Sequence, residues 1–245
     1  MPHQELAMLL VFIAALVRGY TGFGFAAIAI SGLSLIWPAQ VSVPVILIID
    51  AIGAIGMLSS AWKSADRTLL KHLSIGAIIG MPLGLTVLIQ VPDPILKFII
   101  SIAILGMALW ILFVRNLKIK ASQWQTCGIG GISGAFTAAA SVGGLPIVCY
   151  LLMTAHVAQV QRATMVIFLS GTDLISIGLM AGSGVVTYAL LQPTLLLLIP
   201  AVIGVQGGQW LFHRKPPLSF RPIALPVLML LSSTSLYFSS QVIFS

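Results

Sequence analysis

Charge is what this 245-residue chain has least of: Asp, Glu, Lys and Arg together make up 7% of it, and only five residues are acidic. A soluble domain carries roughly 25% charged residues, so a water-facing surface cannot be built and a water-soluble all-α fold is set aside. Cysteine is also scarce. Cys127 and Cys149 both lie in apolar sequence and read as buried small hydrophobes, not as a disulfide or metal pair. His72, His156 and His213 lie in or near loops without metal-ligand spacing, so no metal is expected. No dinucleotide fingerprint or P-loop is present, so no cofactor and no ATP-driven pumping by this chain alone are expected. An intramembrane serine protease needs a nucleophile with a histidine partner. Gly131-Ile132-Ser133-Gly134 is no nucleophile elbow, and the chain reads as a non-enzyme. The N-terminus lacks the basic region of a cleaved signal peptide and reads as retained.

What is present is apolar. Hydrophobic residues make up 59% of the chain, and the mean hydropathy is +1.11. They come in long blocks, not in helical stripes or strand alternations. The blocks 41–61, 73–90, 95–114, 163–181, 188–212 and 223–244 each reach the ~20 residues needed to span a bilayer core. This predicts an all-α polytopic protein embedded in the lipid bilayer over nearly its whole length. The net charge of +7 would hint at nucleic acid in a soluble protein. Here most of the excess falls in short loops, where Lys and Arg set orientation, and no nucleic-acid partner is expected.

The chain repeats itself. Ile75-Gly-Ala-Ile-Ile-Gly80-Met-Pro-Leu-Gly84 matches Ile199-Pro-Ala-Val-Ile-Gly204-Val-Gln-Gly-Gly208, and Pro92 and Pro216 keep the same spacing. Asp50 and Asp173, the only acids near the centre of a span, hold almost the same offset, and Ala39-Gln40-Val41 recurs as Ala158-Gln159-Val160. Two membrane repeats follow, 1–115 and 124–245, joined by a cytoplasmic loop at 116–123.

Each repeat opens with an irregular segment. Residues 6–37 are too long for one comfortable span and are broken at Arg18-Gly19-Tyr20-Thr21-Gly22-Phe23-Gly24. Residues 124–153 are broken around Ala140-Ser141-Val142-Gly143-Gly144-Leu145-Pro146. Glycine and proline destabilise helix interiors, and irregular backbone at membrane depth survives only where protein or a water-filled cavity satisfies it. Each segment is either one kinked helix or a hairpin of two half-helices of roughly 14 residues. If the second is a hairpin that does not cross, the basic residues Lys63, Arg67, Lys71, Arg115, Lys118, Lys120, Arg162, Arg214, Lys215 and Arg221 all fall on one side, the cytoplasm. Symmetry extends the hairpin to the first repeat. Each half is then one hairpin plus three spans, an odd number, which gives two inverted repeats as in many secondary transporters.

In that arrangement the broken tips meet near the midplane, where half-helix N-termini favour anions. Gly22, Gly24, Gly143 and Gly144 would let backbone approach a ligand, and Thr21 and Ser141 would offer hydroxyls; the same glycines also suit plain helix packing. Arg18, a guanidinium in apolar sequence, could grip an oxyanion in fork geometry or pair with an Asp. Asp50 and Asp173 are candidate proton carriers, with Na⁺ ligation or a structural ion pair as alternatives. Arg162 opens a span and reads as a boundary residue. The Gly76, Gly80, Gly84 stripe, echoed by Gly204 and Gly208, reads first as an intramolecular helix crossing and second as a homodimer seam.

These residues carry a resemblance. Gly19-Tyr20-Thr21-Gly22-Phe23-Gly24-Phe25 in the first half is similar to a stretch of the sulfite exporter TauE/SafE family of membrane transporters. So is Val142-Gly143-Gly144-Leu145-Pro146 running into Tyr150-Leu151-Leu152 and followed by Arg162-Ala163-Thr164. The resemblance implies export of small anions such as sulfite or sulfonates across the bacterial inner membrane, and it adds Arg162 and Thr164 to the expected substrate site. The chain departs from the family pattern at Leu145, where a proline is usual, at Asp173, which interrupts an uncharged run, and at Ser31-Gly32, where a proline is frequent. The expected function is a secondary transporter working by alternating access, with protons or Na⁺ coupled through Asp50 or Asp173. The alternative is a passive anion channel with the same glycine-lined site.

Overall fold

The computed structural model describes residues 4–22, 24–113, 122–154 and 157–214, with separate positions at 226, 229, 233, 236 and 237. In chain order the helices are α1 (Gln4–Thr21), α2 (Phe25–Leu33), α3 (Ala39–Ser64), α4 (Arg67–Gln90) and α5 (Asp93–Phe113). They continue as α6 (Gln123–Ala140), α7 (Gly144–Leu151), α8 (Ala158–Gly182) and α9 (Leu191–Arg214), the last preceded by a 3-10 turn at Tyr188–Leu190. The all-α membrane class stands. Among the described residues six segments are long and apolar enough to cross a bilayer: α1, α3, α4, α5, α8 and the 188–212 stretch. Five of these coincide with expected spans. The sixth is α1, while the expected 223–244 span and the connector lie almost entirely outside the described residues.

Both broken segments double back. Gly32 of α2 packs against the Leu10 side chain of α1, and the Tyr150 hydroxyl of α7 meets Thr126 Oγ1 of α6 at 2.7 Å. The expectation of two equal arms is corrected. The break comes after 18 residues in both cases, leaving second arms of 9 and 8 residues. The reason lies in the backbone. Gly19 does not stop α1; the helix runs on to Gly22 (φ 84°) and Gly24 (φ 89°), a left-handed geometry that disfavours side chains. In the second half Ser141 itself takes the left-handed conformation, φ 61°, and closes α6.

The two halves embrace through glycine. A Cβ on Gly76, Gly80 or Gly84 of α4 would strike the backbone carbonyls of Cys127, Gly131 or Ala135 on α6. Gly204 and Gly208 of α9 meet Phe12, Ala15, Leu16 and Tyr20 of α1 in the same way. The repeated glycines therefore do one job twice: one set seats α6 on α4, the other α1 on α9, and the stripe is an intramolecular crossing. The opposite faces of these helices carry exposed isoleucines, Ile79 at 69% and Ile199 at 67%, as expected of surfaces wetted by lipid.

Between these crossings α3 packs on α8, and the two run antiparallel: Asp50 meets Asp173, while Met57 meets Arg162 about two turns along α3 and three along α8. The remaining acids have local work. Asp66 accepts the Leu69 amide and caps α4; Asp93 accepts the Ala39 amide at 2.6 Å and pairs with Lys97 at 2.9 Å.

Replacing Gly80 with Val should force α4 from α6 and lower stability by about 1–3 kcal/mol, the usual cost of overpacking. Gly106, whose Cβ would meet nothing, is the matched control. Thermal unfolding in detergent should drop for Gly80→Val and stay level for Gly106→Val; equal midpoints would show that the crossing does not need a glycine.

Candidate functional site

Arg18 is 1% exposed, an unusual condition for a guanidinium in apolar sequence. It sits in the last turn of α1, just ahead of the first break, and its Nε lies 2.8 Å from Asp50 Oδ1 on α3. The contact is a close ion pair without a well-aligned hydrogen bond, and Arg18 Nη2 has no partner. Asp50 and Asp173 lie within hydrogen-bonding range of each other, 4% and 3% exposed. One buried cation thus faces two buried carboxyls. Two carboxylates at close quarters repel each other strongly, so such a pair shares a proton.

These three groups line a cavity of about 20 Å³, with Gly24, Ser141 and Gly144 among the other walls. That is room for one water-sized guest, so the site is closed to any oxyanion in this conformation. Two half-helices aim their N-termini at it. Gly24, Ala26 and Ala27 bring the start of α2, and Gly144 and Leu145 bring the start of α7. Neither N-terminus is capped by a side chain, which turns a positive dipole end toward the cavity; in α7 the Leu145 amide donates to Val142 O at 3.2 Å and Pro146 has no amide proton. Ser141 is 4% exposed, and its Oγ has no partner. It is also the one residue other than glycine with a positive φ among the described residues. Strained backbone held at a lining position is a common mark of a working site.

Of the residues singled out from sequence, Arg18, Gly24, Asp50, Ser141, Gly144 and Asp173 are gathered at this cavity. Thr21, Gly22, Gly143, Arg162 and Thr164 are not among its walls. Thr21 is fully buried and donates its hydroxyl to Val17 O at 2.8 Å within its own helix. Gly143 is pressed onto α6, where its carbonyl accepts from Ser133 Oγ at 2.5 Å. Gly22 lies against the aliphatic stem of Arg162. Arg162 donates to Gly19 O at 3.3 Å, touches Met57 Sδ and stacks its guanidinium 4.3 Å from the Phe212 ring centroid. It clamps the first hairpin tip from outside the cavity. Thr164 Oγ1 accepts the Asp66 amide at 3.0 Å and ties the α3–α4 turn to α8.

Two residues were missed by the reading of the sequence. Thr137 lines the cavity, and Ser176 is fully buried one turn beyond Asp173 with its hydroxyl unpartnered. A signal for the first existed. Ser133, Thr137 and Ser141 stand four apart, a polar stripe on one face of an otherwise apolar helix.

A family model described as sulfite exporter TauE/SafE matches residues 7–234, almost the whole chain. Neither the curated proteins nor the solved structures gave a match.

The placement of Thr164 has a checkable consequence. Thr164→Val should leave the Asp66 amide short of its acceptor and cost about 1 kcal/mol of stability. Anion affinity, read by titration of the purified protein, should stay at the parent value. Affinity falling while the unfolding midpoint holds would return Thr164 to the binding site.

Proposed function

The chain belongs to the sulfite exporter TauE/SafE family, hence to membrane transporters and not to enzymes, and from that premise we propose a secondary transporter of small sulfur or organic oxyanions. The carrying observation is the cavity where Arg18 Nη2 and Ser141 Oγ, both without a protein acceptor, converge with the uncapped starts of α2 and α7. A sulfite or sulfonate group supplies what those donors lack: several acceptor oxygens and a negative charge. Gly24 and Gly144 would let the oxyanion lie against backbone. The binding set is therefore Arg18, Gly24, Ser141 and Gly144, with Arg162 and Thr164 holding the surrounding elements.

The closed cavity favours a carrier over a pore of fixed width. An anion can enter only if the hairpin tips part, and the antiparallel crossing of α3 and α8 offers an axis about which two inverted halves could rock. Asp50 and Asp173 supply the coupling. When an oxyanion takes Arg18, Asp50 loses its partner, and the pair it forms with Asp173 is left with one uncompensated negative charge, which a proton would neutralise. Anion binding and proton uptake are then linked, and the fluxes follow the proton gradient. The membrane is the bacterial inner membrane, with the basic loops in the cytoplasm.

Counterflow in proteoliposomes tests the carrier: labelled sulfite should accumulate transiently against excess unlabelled sulfite, whereas a channel shows no overshoot. The double variant Arg18→Gln/Asp50→Asn removes both charges without orphaning either, so folding should survive while sulfite binding weakens at least about tenfold, the size expected for a lost charge-assisted bond. Unchanged affinity removes Arg18 from the site. Asp173→Asn should leave counterflow intact and abolish the response to an imposed pH gradient. A persisting response would move the proton to another group.

A further inference from the structure

A second recess lies away from the cavity, between α4 and α8 and open to the outer face of the protein. It encloses about 380 Å³. Arg67 and Lys71, both exposed, stand at one end in the first two turns of α4. Beyond them the walls become apolar, through Ile78 and Met81 on α4 and Phe168 and Ile175 on α8. From Arg67 to Met81 the helix rises about 21 Å, close to the reach of an acyl chain across one leaflet. Trp62, 57% exposed, flanks the charged end, and Arg67 lies 5.9 Å from its ring centroid. A tryptophan at that level is typical of the bilayer interface.

We propose that this groove binds one anionic phospholipid of the surrounding bilayer, its phosphate on Arg67 and Lys71 and one acyl chain along α4 and α8. Three observations select this occupant. The first is charge: neither basic side chain has a carboxylate partner among the described residues. The second is the lining: beyond Arg67, Lys71 and Ser74 at the charged end the walls are apolar, and the Thr172 hydroxyl is already bonded to Leu169 O, so most of the groove offers a small inorganic anion nothing to bind. A guest charged at one end and apolar for the rest of its length matches both parts. The third is room. Gly171 lines the groove, and a Cβ there would meet nothing within 4 Å, so there is open space along α8 where a chain would pass.

The site is independent of the oxyanion reading, since it shares no residue with the central cavity. The two touch only back to back: Thr172 faces the groove and Asp173, its neighbour on α8, faces the cavity.

The test uses the full chain in detergent and native mass spectrometry, counting retained phosphatidylglycerol against phosphatidylcholine of the same chain length. Two basic side chains at a headgroup lead to a preference on the order of 30-fold for the anionic lipid. Arg67→Gln/Lys71→Gln should bring the two lipids close to parity. Gly171→Leu, which fills the open part of the groove while favouring the helix, should lower retention of both. Glycerophosphoglycerol, the same headgroup without chains, should fail to displace the lipid. No preference in the parent protein, a preference that survives the double substitution, or displacement by the chainless headgroup would each overturn the proposal. Should the double variant fail to fold, Gly171→Leu and the headgroup competition decide the matter alone.

Discussion

A guanidinium deep in an apolar bundle has to be answered by negative charge, and the arrangement of the central helices follows from how Arg18 is answered. Its partner Asp50 comes from α3, and the second carboxyl, Asp173, comes from α8. These two helices pack on each other where the acids meet. To reach that crossing, Arg18 must ride on a helix that stops close by, so the break after Thr21 and the turn back into α2 fall beside the ion pair. A charged pair of this kind adds little net stability, because desolvation consumes most of the attraction. Its value lies in position, since only one register of α1 against α3 and α8 leaves no charge stranded.

Glycine serves this arrangement in two physically different ways. At Gly76, Gly80, Gly84, Gly204 and Gly208 what matters is the absent side chain, which lets helix backbones touch. At Gly22 and Gly24 what matters is the backbone angle, which ends one helix and allows another to start in the opposite direction. The first group seats α6 on α4 and α1 on α9 at backbone contact. The second leaves the tips as the places where the chain can turn. A bundle held firmly at its crossings and turned sharply at its tips places open helix N-termini at a fixed depth.

Much of this could be read from sequence because membrane spans and repeats leave long-range marks. The block lengths predicted five of the spans, and the paired glycines predicted the crossings. Arg18, Asp50 and Asp173 stood out because charge is so rare here. What could not be read was rotational phase and backbone hand. Thr21 and Ser141 look equivalent beside their glycines, yet Thr21 turns its hydroxyl back to Val17 O while Ser141 adopts a left-handed conformation that frees its own. Arg162 and Thr164, which the family resemblance added to the expected site, brace a hairpin tip and a loop. The arm lengths were misjudged because Gly19 looks like a breaker and is instead a packing residue against Val205.

Hydroxyls elsewhere in the bundle are quiet. Ser31, Ser170 and Thr194 each return a hydrogen bond to the carbonyl four residues earlier, which settles a polar group locally at small cost. On the cavity wall Thr137 keeps that habit, donating to Ser133 O at 2.9 Å, but its neighbours there do not. Arg18 Nη2, Ser141 Oγ and Asp173 Oδ2 remain unpartnered, and Ser176 and Arg162 Nε flank them in the same condition. Buried polar groups left open raise the free energy of the closed state, and their clustering around one small space makes the deficit local. An oxyanion at Arg18 would satisfy the donors, and a proton would satisfy the acid that the anion displaces. The closed empty state is then held less firmly than the rest of the bundle. A carrier needs that difference, since its site must open more readily than its scaffold unfolds.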